Sequence, residues 1–332
     1  MNLPPIARLL LWPLSVVYGL IVGMRARLYA SGKLRQRRLK KPVISVGNLT
    51  VGGTGKTPMV MWLATRFLAE GKRVGILSRG YKGNGKTSDE IELMRARLGE
   101  RVLFGIGKDR FEQGRRLEEK VDLLLLDDGY QHLQLARDVN LLLMDAARPL
   151  GKEMLLPAGR LRERLPAMNR ADALIFTRTH NLPGTEEAID KLEEYPVFSA
   201  ATRLVGFRRL GESVPVFRAE EMAEGPYYAF CGIGNARAFF QNLQSWGMTI
   251  AEQAEFVDHH NYDERDARQL VAAAKQAGAR GLLTTEKDEQ NLRAVAFGEF
   301  PVYVAVIDLE IAKAEKLLEY IHQRIEARTA AA

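Results

Sequence analysis

The stretch that most constrains this chain is residues 43–58, VISVGNLTVGGTGKTP. An apolar run enters it, Gly52, Gly53 and Gly55 sit close together inside it, and the pair Lys56–Thr57 closes it. PMVMWLATRF follows, with Met59, Trp62, Leu63, Arg66 and Phe67 at helical spacing up to Gly71. Strand, curled loop and helix in that order is the setting in which a GKT triplet holds phosphate. Glycines let backbone N–H groups turn inward, and the helix N-terminus adds the positive end of its dipole. The candidate phosphate-binding residues are therefore Thr50, Val51, Gly52, Gly53, Thr54, Gly55, Lys56 and Thr57. Lys56 would reach the outer phosphates of a nucleotide, and the Thr57 hydroxyl would serve Mg2+. The common pattern is G-x-x-x-x-G-K-[ST], whose first glycine falls on Thr50 here. A Cβ at that position predicts a loop entry that does not need a left-handed backbone.

Such a loop requires a carboxylate at the end of a neighbouring strand to hold the metal. VDLLLLDDGYQH supplies Asp127 and Asp128 after an apolar run. Adjacent residues on a strand point in opposite directions, so one can meet Mg2+ or its waters while the backbone holds the other. For one of the two, a capping role in the turn before Gly129 is the plainer alternative. Two further constellations bear on a phosphate acceptor. The glycine-rich SRGYKGNGKTSDE (78–90) reads as a loop carrying Asp89 and Glu90 as candidate bases. FVDHHNY (256–262) places Asp258 beside His259 and His260, and a carboxylate next to an imidazole can tune a general base. Paired histidines also suit a metal, but the surrounding sequence offers few further ligands.

Apolar runs at 42–49, 73–80, 121–128, 139–146 and 171–178 read as strands buried on both faces, as in a parallel sheet covered by helices. Residues 198–217 mix Gly and Pro with short alternating runs and read as a linking ribbon or hairpin. Strand-like PYYAFCGIG, MTIAEQAEF, ARGLLTTEKD and FPVYVAVID then alternate with helical segments, one opening near Asn235 and the last spanning about 310–328. The expected fold class is α/β: a P-loop NTPase-like parallel sheet flanked by helices, a second smaller α/β unit, and an N-terminal membrane-associated helix. The expected division is 1–41 for the membrane-associated helix and basic segment, 42–195 for the P-loop core, 196–220 for the link, and 221–332 for the C-terminal unit.

The net charge of +7 is local. Arg25, Arg27, Lys33, Arg35, Arg37, Arg38, Lys40 and Lys41 lie together without an intervening acid, and the remainder is near neutral. A nucleic-acid-binding surface is not implied, and no protein partner can be inferred. One cysteine, Cys231, excludes a disulfide framework and fits a reducing compartment. Leu9–Met24 is uncharged but shorter than the roughly 20 apolar residues of a spanning helix. Pro13, Gly19 and Gly23 interrupt it, and no signal-peptide cleavage site follows. A marginal span and a buried core helix are alternatives. An apolar segment beside a polybasic run fits an interfacial anchor best, with Trp12 and Tyr18 at headgroup level and the cations on anionic lipid.

SVGNLTVGGTGKTP, ILSRGYKG, DDGYQHLQLARD, LLPAGRLRE, RADALIFTR, AFCGIGN, FVDHHNY and LTTEKD occur in this order from about 42 to 290. Together they resemble the tetraacyldisaccharide 4'-kinase family, the lipid A 4'-kinases. The resemblance implies a peripheral enzyme on the cytoplasmic face of the inner membrane. It would use ATP and Mg2+ to phosphorylate the 4'-hydroxyl of a glycolipid disaccharide, a lipid A precursor. It implies Lys56 and Thr57 as phosphate and Mg2+ contacts, Asp127 and Asp128 as the acidic pair near the metal, and Asp89 as catalytic base with His259 as partner. It implies Arg162, Glu163 and Tyr81 as further active-site residues. The chain departs from the family pattern at Ser88-Asp89-Glu90-Ile91, where Gly-Asp-Glu-Pro is expected, and at Arg160 and Arg164, where prolines are expected. The competing function is a nucleotide-switched, GTPase-like membrane adaptor. A guanine reader carries N-K-x-D or T-K-x-D, and Thr285-Glu286-Lys287-Asp288 has the wrong spacing.

Overall fold

The computed structural model describes residues 4–82, 86–148, 150, 153–179, 196–212, 217–222 and 224–330. The chain forms two compact units. The first comprises Met1–Gly85, Arg97–Thr202 and Leu309–Ala332, the second Lys86–Ala96 and Arg203–Asp308. The sequence reading cuts the chain linearly, whereas spatial contact groups it discontinuously.

In the first unit, seven strands run parallel. They are β1 (Val43–Asn48), β2 (Val74–Ser78), β5 (Val102–Ile106), β6 (Leu123–Asp127), β7 (Val139–Asp145), β8 (Ala173–Thr177) and the start of β9 (Val197–Arg209). Between them in sequence lie the two-residue strands β3 (Tyr81–Lys82) and β4 (Lys86–Thr87). The pairing order is β5-β2-β6-β1-β7-β8-β9. Every residue of β1, β2 and β6 is buried, which is why these strands read as continuous apolar runs. Strand β1 lies between β6 and β7, with Val46 opposite Asp127, so the loop after β1 and the turn after β6 leave the sheet at the same edge. Ligands of α/β sheets bind at that carboxyl edge.

Helices α2 (Lys56–Ala69) and α4 (Arg110–Leu117) flank this sheet, and α8 (Ala314–Ala330) returns to it from the end of the chain. Tyr320 on α8 donates to the Asp172 carbonyl at 2.9 Å, and Arg328 reaches Asp138 at 3.1 Å. Helix α1 (Pro5–Ala30) is continuous over 26 residues: Pro13, Gly19 and Gly23, expected to interrupt the apolar run, lie inside it. It is long and apolar enough to cross a membrane, with mean hydropathy 1.8. Ile6, Leu9, Leu10, Trp12, Leu14, Leu20 and Met24 are exposed along it, while Ser15 and Gly19 are buried.

The second unit carries α3 (Asp89–Leu98) up to Ala96 and the parallel strands β10 (Tyr227–Cys231), β11 (Ile250–Glu255), β12 (Leu282–Thr285) and β13 (Val302–Ile311), the last up to Asp308, paired in the order β11-β10-β12-β13. Helices α5 (Ala236–Ser245), α6 (Glu264–Gln276) and α7 (Glu286–Leu292) complete it. Its core gathers Phe230, Tyr262, Leu270, Leu282 and Leu292 in one cluster and Phe207, Phe239, Phe240 and Leu243 in another.

Several elements differ from the sequence reading. Residues 197–209 form one strand, β9, followed by an antiparallel bridge between Phe207 and Phe217, because buried positions alternate along its first half. Strand β5 has no counterpart in that reading, since VLFGI is short and only partly buried. Asp89 and Glu90 open a helix instead of lying in a loop, which places acidic side chains at its N-terminal turn. Strand β13 extends to Ile311 and delays the last helix to Ala314.

Candidate functional site

Gly55 adopts φ 83° and is the last residue before α2, so Lys56 opens the helix as the phosphate-loop pattern requires. Gly52 at φ 111° supplies the other left-handed turn of the loop. Thr50 is not among the residues with positive φ. Instead it forms an antiparallel bridge with Leu161, and its hydroxyl lies 3.5 Å from Asn48 Nδ2. The usual glycine is dispensable because the chain enters the loop as an extended segment pinned by a neighbour. Asn48, fully buried at the end of β1, donates to Thr54 Oγ1 at 2.8 Å and accepts from Lys56 Nζ at 3.4 Å. Val51 is partly buried, and its N–H donates to the Arg160 carbonyl at 2.9 Å. Gly53 is exposed, and Thr57 lies partly buried in the first turn of α2.

The acidic pair divides in the turn after β6. Asp127 ends the strand, is buried, and accepts from Ser78 Oγ at 3.2 Å. Asp128 takes the left-handed region at φ 48°, uncommon for a residue with a side chain and a conformation that concentrates at functional sites. The turn is fixed from beneath: a Cβ at Gly47 would come within 2.6 Å of Tyr130 Cβ, so β1 must carry glycine there. In its left-handed setting Asp128 accepts from Arg162 Nη1 at 2.8 Å and pairs with Lys56 Nζ at 3.6 Å. Desolvation works against its charge, but Lys56 and Arg162 outweigh it and hold the carboxyl below its ordinary range.

Arg162 and Glu163 belong to a strap, residues 153–165, laid along the phosphate loop. The Arg162 N–H donates to the Leu49 carbonyl at 2.7 Å, and its side chain also reaches Gln131 Oε1 at 3.4 Å. Glu163 is buried and accepts from Arg170 at 2.7 Å, while the Arg170 guanidinium stacks 4.9 Å over the Tyr130 ring. Helix α1 holds this strap. Ser15 Oγ donates to the Leu155 carbonyl at 2.9 Å and accepts from the Ala158 N–H at 3.0 Å. Tyr18 OH donates to the Arg162 carbonyl at 3.0 Å.

Within the second unit, α3 and the loop after β11 bring Asp89 and His259 together. Asp89 is buried at 4% exposure, and its Oδ2 lies 2.8 Å from His259 Nδ1. His259 is in the left-handed region at φ 62°. The bond to Asp89 raises its affinity for a proton, opposed by burial and by Lys287. His260 turns elsewhere: its Nε2 meets Asp266 at 2.8 Å and its ring lies 4.7 Å from that of Phe256. The geometry therefore distinguishes the two adjacent histidines. Tyr81 lies in β3, and its side chain is outside the described residues.

Sequence reasoning missed Asn48, Arg110 and Gln131. Gln131 Nε2 donates to the Asn48 carbonyl at 2.9 Å and so ties the acidic turn to the phosphate loop. Buried Arg110, the first residue of α4, has its charge disfavoured by burial and by Arg79, and favoured by Asp128 and Asp127. The only hint was KDR directly after β5, whose Asp109 caps α4.

Mg2+ takes hard oxygen ligands and usually one or two carboxylates plus water and substrate phosphates. Asp127 at the end of β6 and the Thr57 hydroxyl at the start of α2 are donors of that kind on adjoining elements. Among the described residues no cluster of three or more His, Cys, Asp or Glu could hold a metal by itself, and Mg2+ shared with phosphates does not need one. The donor set fits.

A family model described as tetraacyldisaccharide-1-P 4'-kinase (LpxK) matches residues 7–326. The chain is 41% identical over 323 residues to a tetraacyldisaccharide 4'-kinase of Geobacter metallireducens, covering 91% of this chain and 94% of that protein. It is 42% identical over 316 residues to one of Geobacter sulfurreducens, covering 89% and 87% respectively. The crystal structure of an "apo" form of LpxK from Aquifex aeolicus in complex with ATP is similar, with TM-score 0.73 at 33% identity, covering 96% of this chain and 99% of that one.

Proposed function

The chain belongs to the tetraacyldisaccharide-1-P 4'-kinase family, and from that membership we propose that it transfers the γ-phosphate of ATP to the 4'-hydroxyl of a tetraacyldisaccharide 1-phosphate, a lipid A precursor. The observation that carries this reading is Lys56, opening α2 directly after left-handed Gly55 with its ammonium near Asp128 and Asn48. Such a lysine, with the loop amides, grips a triphosphate. The ATP bound to the Aquifex aeolicus relative supports the choice of nucleotide.

Phosphoryl transfer asks a protein mainly for positioning and charge neutralisation. Residues 50–57 cradle the phosphates, and Lys56 offsets charge on the transferred group. Thr57 and Asp127 would hold Mg2+, whose contribution is further neutralisation of phosphate charge. Asp128 has a separate role: engaged by Arg162, it steers the Lys56 ammonium. Asp89 accepts the proton of the acceptor hydroxyl, with His259 orienting it. Glu163, through Arg170 over Tyr130, holds the strap that carries Arg162. The acceptor's acyl chains keep it in a bilayer. The apolar surface of α1 and the basic run 25–41 bring the enzyme to the cytoplasmic face of the inner membrane, peripherally, against anionic lipid. The GTPase-like adaptor is not favoured, since the relatives are kinases by name.

The test is to incubate the full chain with labelled ATP, Mg2+ and a panel of sugar and lipid acceptors. A 4'-phosphorylated tetraacyldisaccharide, lost in Lys56→Ala, is expected. Phosphorylation of a different acceptor only would overturn the reading.

A further inference from the structure

The string Thr285-Glu286-Lys287-Asp288 fails as a guanine reader and lies apart from the phosphate loop in sequence. It joins β12 to α7, and two of its side chains turn to the loop that carries His259. Asp288, at 1% exposure, accepts the Gly232 N–H at 2.8 Å and the Tyr262 hydroxyl at 3.0 Å. The Gly232 carbonyl in turn accepts the His259 N–H at 3.0 Å. A Cβ at Gly232 would lie 3.0 Å from the Val257 carbonyl oxygen and 3.1 Å from His260 Cβ, tighter than ordinary contact, so a side chain there would crowd the loop. Asp288 thus braces the backbone that holds His259 at φ 62°.

Lys287 addresses the ring itself. Its ammonium lies 2.9 Å from Asp258 Oδ1, 3.4 Å from Glu90 Oε1 and 3.4 Å from His259 Nε2. Burial works against its charge, but Glu90 and Asp258 outweigh burial and keep it protonated. An ammonium only donates. Facing it, Nε2 is favoured as an acceptor, and a proton there would bring two positive charges together. A proton on Nδ1 points instead at Asp89 Oδ2, 2.8 Å away. The charged groups around His259 are Asp89 and Glu90 from α3, Asp258 from its own loop and Lys287 from α7. Three carboxylates draw the ring towards imidazolium, and Lys287 opposes them.

We propose that Lys287 is a positioning residue for phosphoryl transfer: it holds His259 in the Nδ1–H form, hydrogen-bonded to Asp89, with Nε2 unprotonated. This rests on the reading of Asp89 and His259 as the proton-accepting pair. A neutral ring orients the Asp89 carboxylate without the tighter, charge-assisted bond of an imidazolium, which would reduce its basicity.

The experiment compares the full chain with Lys287→Met and Lys287→Arg. It measures kcat across pH, KM for ATP, and the protonation of His259 by imidazole nitrogen NMR. In Lys287→Met the titration midpoint of His259 should rise, the acid limb of kcat should move to higher pH, and kcat at neutral pH should fall about tenfold or more. KM for ATP should stay within about twofold of the parent. Lys287→Arg, which keeps the charge, should retain the parent tautomer and pH profile. Parental kcat and parental His259 titration in Lys287→Met would overturn the proposal. So would equal losses in both variants with His259 unchanged, which mark a merely structural lysine. Where Lys287→Met does not fold, Lys287→Gln removes the charge with the same expected direction. Parental kcat in Asp89→Asn and His259→Ala would instead sink the underlying pair. Loss in those two with Lys287→Met at parental rate would sink only the role of Lys287.

Discussion

The guanidinium of Arg162 holds both carboxylate oxygens of Asp128 through one nitrogen, at 2.8 Å to each. The same carboxylate is 3.6 Å from Lys56 Nζ, so Arg162 and Lys56 compete for one anion. Removing the guanidinium leaves Asp128 to pair with Lys56 alone and draws that ammonium away from phosphate. Arg162→Met should lower kcat/KM for ATP by about 10- to 100-fold, the scale of one lost charge-assisted hydrogen bond. Steady-state kinetics at saturating acceptor checks this, and a change under about threefold would contradict it.

Thr50 occupies a glycine position without a glycine conformation, and its bridge to Leu161 explains why. Thr50→Gly restores the common motif but adds backbone freedom to the unfolded chain. It should destabilise the protein by about 0.4–1 kcal/mol and leave ATP affinity no tighter. A denaturant midpoint and a calorimetric ATP titration test the two halves separately.

The phosphate loop, the acidic turn and the parallel sheet were legible because each has local chemistry. Glycines beside Lys56 require a curled backbone, and continuous Leu and Val runs require a strand buried on both faces. What was not legible depends on long-range contact. Gln131 looks like an ordinary turn residue until its amide is seen on the Asn48 carbonyl. Ser15 looks like a polar interruption of an apolar helix until it is seen to bridge Leu155 and Ala158. The return of α8 to the first unit depends on Tyr320 and Arg328 finding Asp172 and Asp138, pairs separated by much of the chain.

Ser15 therefore links the exposed apolar helix to the strap along the phosphate loop. In Ser15→Ala the Ala158 N–H loses its partner, while the Leu155 carbonyl keeps the Gly159 N–H at 2.9 Å. Leaving such a buried donor unpaired costs about 1–3 kcal/mol. Because the Arg160 carbonyl and the Arg162 N–H bind the loop backbone at Val51 and Leu49, KM for ATP should rise along with the loss of stability. Urea unfolding in detergent and ATP kinetics measure both. A destabilised variant with parental KM would show that the strap does not transmit to the loop.

The bond between His259 and Asp89 sets a pH dependence with a definite sign. It raises the folded-state pKa of His259 against the effects of burial and Lys287. Below the unfolded value of about 6.5 both states hold the proton, and the stabilisation is fully present once Asp89 is ionised. It is lost as pH climbs through the raised folded value. In Asp89→Asn the anion is gone, so the His259 midpoint should fall. The stability gap between parent and variant should be widest in mildly acid solution and narrow as pH rises past the parent midpoint. His259 is about a third exposed, so solvent screening keeps the gap modest. Proton NMR of the imidazole gives the midpoint, and thermal melts across pH give the gap. An unmoved midpoint in Asp89→Asn would mean that Glu90 and Asp258, which also approach Nε2, set the charge of His259 without Asp89.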